Sequence, residues 1–524
     1  MDRILIADPL EESGLEVLRA AGAEVVVLAA ADRPRLAELL PEFDALVVRS
    51  ATKVTRELLA AGKRLRVVGR AGIGVDNVDV EAATERGVLV VNAPTANLMS
   101  ATEHTLALLL ALARKLPAAD ASMKRGEWDR KSWVGMELQG KTLGVIGFGR
   151  IGQRVAARAR AFEMEVLAYD PFLDPALATR LGVRPVTLDE MLPLADVITL
   201  HTPLTAETKH LLDARRIAAM KPGALVVNCG RGGVLDEEAL FAALESGHLG
   251  GAALDVFEEE PTKRLDLVKH PKVVATPHIG AQTHEAQERI ALETARTLLA
   301  ALAGAMPESA VNLPFVSKGG KTEPFLKLGE KLGRLAVALL DGPLAKLEVE
   351  LVGGENDLLA PVAVAALKGA LEPALGDAVN LVNAERIAAG RGISVTRSSR
   401  VEPTDYPQLV RVRAGSGAGT VELAGAVVGG GDPRVVEVLG YRLEFRPHGR
   451  ILLLENRDVP GVVGRIGTVL GEAGVNIADI HLARIEERGV ALAMLRVDEA
   501  PGAQLLAKLR ALPELVRLCS VELA

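Results

Sequence analysis

The sequence predicts an α/β protein with several domains. Over the first 300 residues, short runs of Val, Ile and Leu alternate with amphipathic helical segments, the pattern of parallel sheets covered by helices on both faces. One of these runs leads into the glycine-rich stretch GFGRIG at 147–152, which favours a dinucleotide-binding α/β unit. A chain of 524 residues is too long for one hydrophobic core, so about three or four domains are expected.

Two groups of apolar runs predict two sheets. The first group, bounded by Gly, Asp, Pro or Ser, comprises RILIAD, EVVVL, ALVVRS, LRVVGR and VLVVNA. A long helical segment at 100–128 follows. The second group comprises KTLGVIG, EVLAYD, VITLHTP, ALVVNCG, GAALDV and KVVATP. In an open parallel sheet ligands collect at the carboxyl ends of the strands, so the polar residues that follow these runs are candidate site residues.

The chain beyond residue 304 has a different character. A Gly-, Pro- and Lys-rich stretch at 311–324 reads as a linker, and a third region at about 317–447 mixes helical segments with possible strands and shows no catalytic pattern. The last seventy-odd residues alternate as strand, helix, strand, strand, helix, strand, which predicts a small βαββαβ domain.

Composition narrows the function classes. The net charge of −7 argues against a nucleic-acid partner, which requires a basic face. The two cysteines lie far apart without metal-ligand spacing, so no metal site or disulfide framework is expected. The N-terminus lacks a signal-peptide pattern, and the apolar stretch at 106–113 is shorter than the ~20 residues that span a bilayer. We therefore expect a cytoplasmic protein without a membrane partner.

The glycine-rich stretch has the context of a dinucleotide site. Gly147, Gly149 and Gly152 follow a strand and open a helix, so the turn can approach a pyrophosphate held at the helix N-terminus. The next strand ends in Asp170, whose carboxylate suits the adenosine ribose hydroxyls and repels a 2′-phosphate. The pattern favours NAD over NADP. The alternative is an ordinary strand-to-helix turn with an acid nearby by chance.

Three further motifs follow successive strand ends: NCGRGG supplies Arg231, DVFEEEP supplies glutamates at 258–260, and TPHIG supplies His278. Arginine offers a planar cationic fork for a carboxylate, and histidine can exchange a proton near neutral pH. A nearby carboxylate would orient the imidazole and stabilise its cationic form. Each residue alone has a plainer explanation, as a surface charge, a solvated acidic loop or a structural histidine. Together they favour oxidation or reduction of a 2-hydroxy acid.

The ordered set GFGRIG, HTPLTAET, NCGRGGVLDEEAL, GAALDVFEEEP and TPHIGAQT resembles the D-isomer-specific 2-hydroxyacid dehydrogenases over residues 1 to about 305. The resemblance implies that Arg231, Glu260 and His278 are catalytic. It implies a Rossmann-type NAD domain, 98–282, inserted into a flavodoxin-like substrate domain, 1–97 and 283–303. The cofactor-binding residues that the glycine motif and the resemblance indicate are Gly147, Gly149, Arg150, Ile151, Gly152, Asp170, Thr202, Cys229, Gly230, Arg231, Asp255, His278, Gly280 and Ala281.

Two N-terminal segments, VVRSATKVT and VVGRAGIGVDNVD, resemble the substrate loops of family members that act on a phosphorylated acid. The resemblance implies 3-phosphoglycerate as the substrate. A phosphate and a carboxylate on one small molecule call for several cations and backbone amides, and the arginines of these segments would supply the cations. Surface placement of the arginines is the alternative. The implied substrate-binding residues are Arg49, Ser50, Arg70, Gly72, Gly74 and Asn97.

The C-terminal segment ENRDVPGVVGRIGTVLGEAGVNIADI resembles an ACT domain, here 448–524, a module that often senses amino acids. The resemblance implies an L-serine effector held by Asp458, Gly461 and Asn476, normally between two such domains. A purely dimerising domain is the alternative. The region 304–447 is then an α+β intervening regulatory domain, in which three arginines form a hypothetical anion cluster: Arg391, Arg397 and Arg400.

Two other activities share parts of this pattern. A glyoxylate or hydroxypyruvate reductase has the same catalytic set, but it is not expected to carry the C-terminal 220 residues. Some relatives of the fold are NADH-sensing corepressors that bind protein partners, and an intact Arg-Glu-His set argues against that role. The helix at 100–125 and the stretch RGEWDRKSWVG resemble the family's dimer interface, so we expect a homodimer or homotetramer.

Overall fold

The computed structural model describes residues 1–353, 356–402 and 405–523. Within these residues the chain forms two compact units. The first unit comprises 1–9, 15–92 and 294–524, and the second comprises 10–14 and 93–293.

The N-terminal sheet is parallel, as the uninterrupted apolar runs predict. Its strand order, β2-β1-β3-β4-β5, is the doubly wound order of flavodoxin-like folds. Every residue of β3 is buried, because helices cover both faces of the sheet. The elements are β1 (Arg3–Ile6), α1 (Glu12–Ala20), β2 (Glu24–Val27), α2 (Leu36–Leu39), β3 (Ala45–Val48), α3 (Arg56–Ala61), β4 (Val67–Arg70), α4 (Val80–Glu85) and β5 (Leu89–Asn92).

The second unit contains a seven-stranded parallel sheet of order β12-β11-β10-β9-β6-β7-β8, which confirms the Rossmann-type prediction. The short strand β8 was not predicted. The elements are α5 (Leu98–Ala113), α6 (Leu116–Lys124), β6 (Thr142–Ile146), α7 (Arg150–Ala161), β7 (Glu165–Tyr169), α8 (Pro175–Arg180), β8 (Arg184–Pro185), α9 (Leu188–Met191), β9 (Val197–Leu200), α10 (Ala214–Ala218), β10 (Leu225–Asn228), α11 (Glu237–Glu245), β11 (Gly251–Leu254), α12 (Leu265–Val268) and β12 (Val273–Ala275).

The helical segment predicted at 100–128 is divided into α5 and α6. Lys115 takes a left-handed conformation (φ 51°) between them. Pro117 lies in the first turn of α6, where its missing N–H costs no helical hydrogen bond. The proline therefore starts a new helix instead of continuing the old one.

The intervening region folds into a six-stranded sheet of order β14-β13-β15-β16-β17-β18, in which only β13 and β14 pair in parallel. Helices α14 and α15 pack against it, and Gly333 lets them approach, because a Cβ there would lie 1.8 Å from the carbonyl oxygen of Ala366. Helix α13 (His284–Leu302) follows β12 and precedes this region. The elements of the region are α14 (Glu323–Leu339), β13 (Lys346–Val352), α15 (Leu359–Leu375), α16 (Ala384–Gly390), β14 (Ser394–Arg400), β15 (Leu409–Gly415), β16 (Thr420–Val428), β17 (Asp432–Val438) and β18 (Tyr441–Phe445).

One segment of the described chain, 356–378, is long and apolar enough to cross a membrane by length and composition. More than half of it is buried inside the protein. Residues 362–367 of its helix α15 are almost fully buried in the hydrophobic core. Its apolar character is thus accounted for by packing against α14 and the sheet.

The C-terminal domain is βαββαβ, as predicted, with the sheet order β20-β21-β19-β22 and both helices packed on one apolar cluster. Strand β20 lies at an edge of the sheet and alternates half-buried and exposed residues. The elements are β19 (Gly449–Arg457), α17 (Val462–Glu472), β20 (Ile477–Arg484), β21 (Val490–Val497), α18 (Ala503–Arg510) and β22 (Leu515–Leu523).

The hypothetical anion cluster in the intervening domain is wrong for two of its three arginines, Arg397 and Arg400. Arg397 and Arg400 are three residues apart on β14, and side chains alternate between the faces of a strand, so they point to opposite faces. Arg397 pairs with Glu385 on α16, whereas Arg400 Nε lies 2.7 Å from Glu350 Oε1 on β13. Each is neutralised by its own carboxylate, and the structure does not bring them together.

Candidate active site

The glycine-rich turn between β6 and α7 has the geometry of a dinucleotide cradle. Gly147 has φ 89°, and a Cβ there would lie 2.7 Å from the carbonyl carbon of His201. A Cβ at Gly152 would lie 2.2 Å from the carbonyl oxygen of Gly147, so only glycine lets α7 start this close to the strand. A Cβ at Gly149 would meet no other atom within 4 Å, which leaves room for a pyrophosphate at the N-terminus of α7.

Asp170 follows β7 and is fixed by backbone amides. Its Oδ2 accepts a hydrogen bond from Phe148 N at 2.9 Å, and its Oδ1 accepts one from Phe172 N at 2.9 Å. One amide belongs to the glycine-rich turn, so the carboxylate is tied to the cradle. Its remaining lone pairs suit ribose hydroxyls, which is the role that the sequence indicated.

The ends of β9 and β10 supply the next predicted cofactor residues. Thr202 Oγ1 is buried and, among the residues that the structure describes, has no hydrogen-bond partner. A Cβ at Gly230 would lie 2.9 Å from the carbonyl oxygen of Leu200, so this segment lies tightly against β9. Burial raises the pKa of the neighbouring Cys229 thiol to about 12, so it stays neutral and unreactive. A buried hydroxyl without a partner and the glycine cradle fit a bound dinucleotide.

Arg231 lies on a turn held by Asn228. Asn228 Nδ2 donates to the carbonyl oxygen of Arg231 at 3.0 Å, and its Oδ1 accepts from Gly230 N at 3.1 Å. A Cβ at Gly232 would lie 1.8 Å from the carbonyl oxygen of Phe257, so the turn packs on the loop after β11. The structure thus places the arginine turn beside the loop that carries Glu260.

His278 and Glu260 form a direct pair. His278 Nδ1 lies 2.7 Å from Glu260 Oε2, and Glu260 Oε1 accepts from Phe257 N at 3.1 Å. Although burial alone raises the pKa of Glu260, the hydrogen bond and the charge of His278 outweigh it and hold that pKa below its ordinary value. Because a carboxylate can only accept, Nδ1 carries hydrogen and Nε2 is the ring atom available to a substrate.

Asp255 anchors the backbone around His278. Its Oδ1 accepts from Ile279 N at 2.8 Å and its Oδ2 from Gly280 N at 2.8 Å. Burial tends to raise the pKa of Asp255, but its hydrogen bonds prevail and lower it, so the carboxylate is ionised. His278 itself takes a left-handed φ of 54°, which is unfavourable for a residue with a Cβ. The sequence indicated Asp255 as a cofactor contact, and its anchoring role was missed.

The two predicted substrate loops follow β3 and β4 in the first unit, and buried or half-buried side chains hold them. Asp8 Oδ2 accepts from Arg49 N at 2.7 Å, while Asn77 Nδ2 donates to the carbonyl oxygen of Arg49 at 2.7 Å. Ser50 is exposed beside Arg49. Both backbone groups of Arg49 are therefore fixed.

Arg70 is the last residue of β4, and the loop after it carries Gly72 and Gly74. Gly72 has φ 144°, and a Cβ there would lie 1.7 Å from Arg70 Nη1, so the guanidinium lies directly over the loop. Asn92 Nδ2 donates to the carbonyl oxygen of Ile73 at 2.6 Å and holds the loop from β5. Arg49 follows β3 and Arg70 ends β4, so the two arginines lie at the ends of neighbouring strands, as predicted.

Asn97 belongs to the second unit, where it precedes α5. Its Oδ1 is buried and lacks a hydrogen-bond partner among the described residues, and its side chain does not cap the helix. A buried amide oxygen without a donor is uncommon in a folded protein, and a ligand hydroxyl would satisfy it.

The predicted effector residues do not meet within one C-terminal domain. Asp458 follows β19 at the end where Arg457 pairs with Val490, whereas Asn476 precedes β20 at the end where Ile477 pairs with Val497. The strand between these ends has eight residues, or roughly 23 Å. Asp458 Oδ2 is 3.3 Å from Arg484 Nη1, and Asn476 Nδ2 donates to Asp498 Oδ2 at 2.7 Å. Gly461, with φ 88°, is the N-cap residue of α17 and follows Asp458 by three positions.

A cavity of about 380 Å³ lies where the intervening and C-terminal domains meet, and the sequence did not indicate it. Its lining comes from four strands and the turn between β18 and β19, so no local motif marks it. The charged side chains are mainly cationic, which suits an anionic ligand. The lining residues are Arg434, Phe445, Arg446, His448, Asp479, His481 and Arg496.

Three known families match separate parts of the chain. Residues 106–280 match the D-isomer specific 2-hydroxyacid dehydrogenase, NAD binding domain. Residues 321–439 match the D-3-phosphoglycerate dehydrogenase intervening domain, and residues 450–514 match the ACT domain. The order of these domains is the one that the sequence indicated.

Several relatives match over nearly the whole chain. The D-3-phosphoglycerate dehydrogenase of Methanocaldococcus jannaschii is 42% identical and covers 100% of both chains. That of Bacillus subtilis is 40% identical with the same coverage. That of Mycobacterium tuberculosis is 44% identical over 95% of this chain and 94% of the relative.

Solved structures match the dehydrogenase part. The TT0316 protein of Thermus thermophilus is 39% identical and covers 59% of this chain and 99% of its own, with a TM-score of 0.55. The D-lactate dehydrogenase of Aquifex aeolicus, solved with NAD and lactic acid, is 32% identical and covers 58% of this chain and 96% of its own, with a TM-score of 0.53. With the full-length relatives, these matches show that the chain belongs to the family of D-3-phosphoglycerate dehydrogenases, within the D-isomer specific 2-hydroxyacid dehydrogenases.

Proposed function

We propose that this chain catalyses the NAD-dependent oxidation of D-3-phosphoglycerate to 3-phosphohydroxypyruvate, the first step of L-serine synthesis through phosphorylated intermediates. The observation that carries the proposal is the 2.7 Å pair of His278 and Glu260 in the unit that also holds the glycine cradle. The relatives that match over nearly the whole chain at 40–44% identity carry this activity in their names. When bound, the nicotinamide supplies the hydride acceptor.

His278 is the proposed general base. Its Nδ1–H donates to Glu260, so the lone pair of Nε2 accepts the proton of the substrate hydroxyl, and in the reverse reaction Nε2–H returns it. Glu260 stabilises the imidazolium that forms, because its low pKa keeps it ionised. Proton transfer by a positioned group of this kind contributes about 10²- to 10⁴-fold in rate.

Cationic groups hold the substrate in this proposal. Arg231 presents a fork that suits the substrate carboxylate. Arg49 and Arg70 supply positive charge for the phosphate, since they lie at the ends of neighbouring strands of the N-terminal sheet, beside loops held by Asn77 and Asn92. The buried, unpaired oxygens of Asn97 and Thr202 gain donors from bound ligands.

A glyoxylate or hydroxypyruvate reductase is the competing assignment. The glyoxylate reductase of Paecilomyes thermophila is 31% identical, but it covers 59% of this chain and 98% of its own, so it accounts for the dehydrogenase part alone. The intervening and ACT domains favour the phosphoglycerate enzyme. They equally disfavour a corepressor-like binding protein, as does the paired His278 and Glu260.

Regulation and assembly follow from the C-terminal domain in this proposal. L-serine binds between two ACT domains, because Asp458 and Asn476 lie at opposite ends of one domain's sheet. The enzyme is then at least a homodimer, or a homotetramer, in the cytoplasm. It requires no nucleic acid, metal or membrane.

The test compares NADH-dependent reduction of 3-phosphohydroxypyruvate with that of hydroxypyruvate, each with and without L-serine. The proposal expects a strong preference for the phosphorylated substrate, and equal activity on both contradicts it. Arg70→Ala is expected to raise KM for the phosphorylated substrate with little effect on hydroxypyruvate. His278→Ala is expected to lower kcat more than substrate affinity, whereas His284→Ala, on the first turn of α13, serves as the matched control.

A further inference from the structure

His104, which is outside the predicted catalytic set, contacts Asp255, the carboxylate that holds the backbone around His278. His104 lies on α5, with its side chain largely buried. Its Nε2 is 3.1 Å from Thr276 Oγ1 and 3.2 Å from Asp255 Oδ1. Thr276 Oγ1 in turn donates to the same Asp255 oxygen at 2.6 Å. His104 therefore contacts the carboxylate that holds the two amides after His278.

The hydrogen bonding fixes which nitrogen of His104 carries hydrogen. The ionised Asp255 carboxylate can only accept, and the single hydroxyl hydrogen of Thr276 is used on Asp255. Nε2 must therefore be a donor, whether its partner is the hydroxyl oxygen or the carboxylate. The bond requires only an N–H donor at the position of Nε2, and an amide nitrogen in the same place could replace it.

A second residue of α5 makes a hydrogen bond to the same loop. Ser100 lies one turn before His104 on the same helix face, and its Oγ donates to the carbonyl oxygen of Gly280 at 2.6 Å. A Cβ at Gly280 would lie 3.0 Å from Asp255 Oδ2, and His104 Cδ2 is 3.8 Å from that point, so the loop has little space to shift. The helix thus holds the loop before and after His278.

The held conformation is one that the loop would not adopt alone. His278 has a left-handed φ of 54°, which persists in a protein only where the surroundings impose it. Asp255 imposes it by accepting from both following amides, and His104 restrains the carboxylate that does so. We propose that His104 is a positioning residue for His278, acting through Asp255 and Thr276 to keep the catalytic imidazole in its left-handed backbone conformation.

The effect expected on kcat rests on the proposed function, whereas the effect expected on the conformation of the loop does not. A group displaced by about 1 Å can cost on the order of 100-fold in rate, so loss of the His104 bond should lower kcat by about 10- to 100-fold. The KM for NAD should change by less than about threefold, because the glycine cradle and Asp170 do not depend on α5 residue 104.

The experiment uses the full-length enzyme and three variants. His104→Leu removes the donor, whereas His104→Gln places an amide nitrogen where Nε2 lay. His248→Leu is the matched control, because His248 Nε2 makes a comparable bond to the carbonyl oxygen of Ile217 away from the loop. For each protein, kcat and KM are measured together with hydrogen–deuterium exchange of the peptide covering 276–283, and a melting temperature confirms folding.

The expected result is faster exchange at Ile279 and Gly280 and a lower kcat in His104→Leu, recovery of both in His104→Gln, and neither effect in His248→Leu. Unchanged exchange in His104→Leu, or a His104→Gln variant as impaired as His104→Leu, would overturn the inference. An inactive wild-type enzyme would refute the proposed function instead, since the exchange measurement would still decide whether His104 holds the loop.

Discussion

His278 Nδ1 lies 2.7 Å from Glu260 Oε2, and the two side chains are 45% and 39% exposed. The pair is thus partly open to solvent. An ion pair with this much exposure adds little to stability, so its value lies in orienting the ring and stabilising the imidazolium.

Replacing the carboxylate tests this role. Glu260→Gln keeps the size of the side chain but removes the charge that stabilises protonated His278, so we expect kcat for D-3-phosphoglycerate oxidation to fall about 100-fold, within the range of general acid–base contributions. The KM for NAD should change little. Steady-state kinetics with Glu259→Gln provide the control, because Glu259 is exposed and pairs with Lys263. Equal kcat values in the two variants would remove Glu260 from the mechanism.

The glycine-rich turn permits a paired prediction. A Cβ at Gly152 would lie 2.2 Å from the carbonyl oxygen of Gly147, whereas a Cβ at Gly149 meets nothing within 4 Å. Gly152→Ala should therefore lower the melting temperature of the free enzyme. Gly149→Ala should leave it unchanged yet weaken NADH binding, because the added methyl group fills the space left for the pyrophosphate. Thermal unfolding and NADH fluorescence titration measure the two effects separately, and an identical pattern in both variants would contradict the assignment.

Most of the fold was predictable, for a physical reason. The inner strands of both parallel sheets are buried on both faces, so they read as uninterrupted apolar runs such as ALVV at β3. Function at the carboxyl ends of these strands follows from the topology alone, which is why Asp170, Arg231 and His278 could be indicated as candidates before any distance was known.

The missed features depend on which residues meet across long sequence separations. His104 reaches Asp255 from 151 positions away, and no local pattern marks the contact. The arginine cluster failed because a charge count ignores the alternation that sends Arg397 and Arg400 to opposite faces of β14. The cationic cavity is likewise assembled from residues of two domains, 434–448 and 479–496.

Asp255 provides a test of acid sensitivity. Its hydrogen bonds hold its folded pKa below the ordinary value of 3.8, so its contribution to stability is present above pH 3.8 and is lost as the pH falls through the lower folded pKa. Asp255→Asn would turn an amide nitrogen or a weaker acceptor toward two backbone N–H donors, which should destabilise the protein by about 2–3 kcal/mol at neutral pH.

The measurement for Asp255→Asn is thermal unfolding of both proteins across the acid range. The difference in melting temperature should be largest near neutral pH and should shrink as the pH falls below 3.8. Asp196→Asn gives a comparison at a second carboxylate with a lowered pKa, distant from the His278 loop. A difference for Asp255→Asn that stays constant down to low pH would mean that its charge is not what stabilises the loop.

The opposite placement of Asp458 and Asn476 predicts complementation between subunits. If L-serine binds between two ACT domains, each site takes Asp458 from one domain and Asn476 from the other, because the two ends of β21 are roughly 23 Å apart. Asp458→Ala and Asn476→Ala homo-oligomers should both lose inhibition by serine while keeping their uninhibited kcat. Co-expressed mixed oligomers should regain part of the inhibition, since some interfaces combine an intact Asp458 with an intact Asn476.

Thr468→Ala, on the exposed face of α17, should behave as wild type. Inhibition curves for tagged and purified mixed oligomers decide the matter: no recovery in the mixture would place the effector site within a single domain or outside this one.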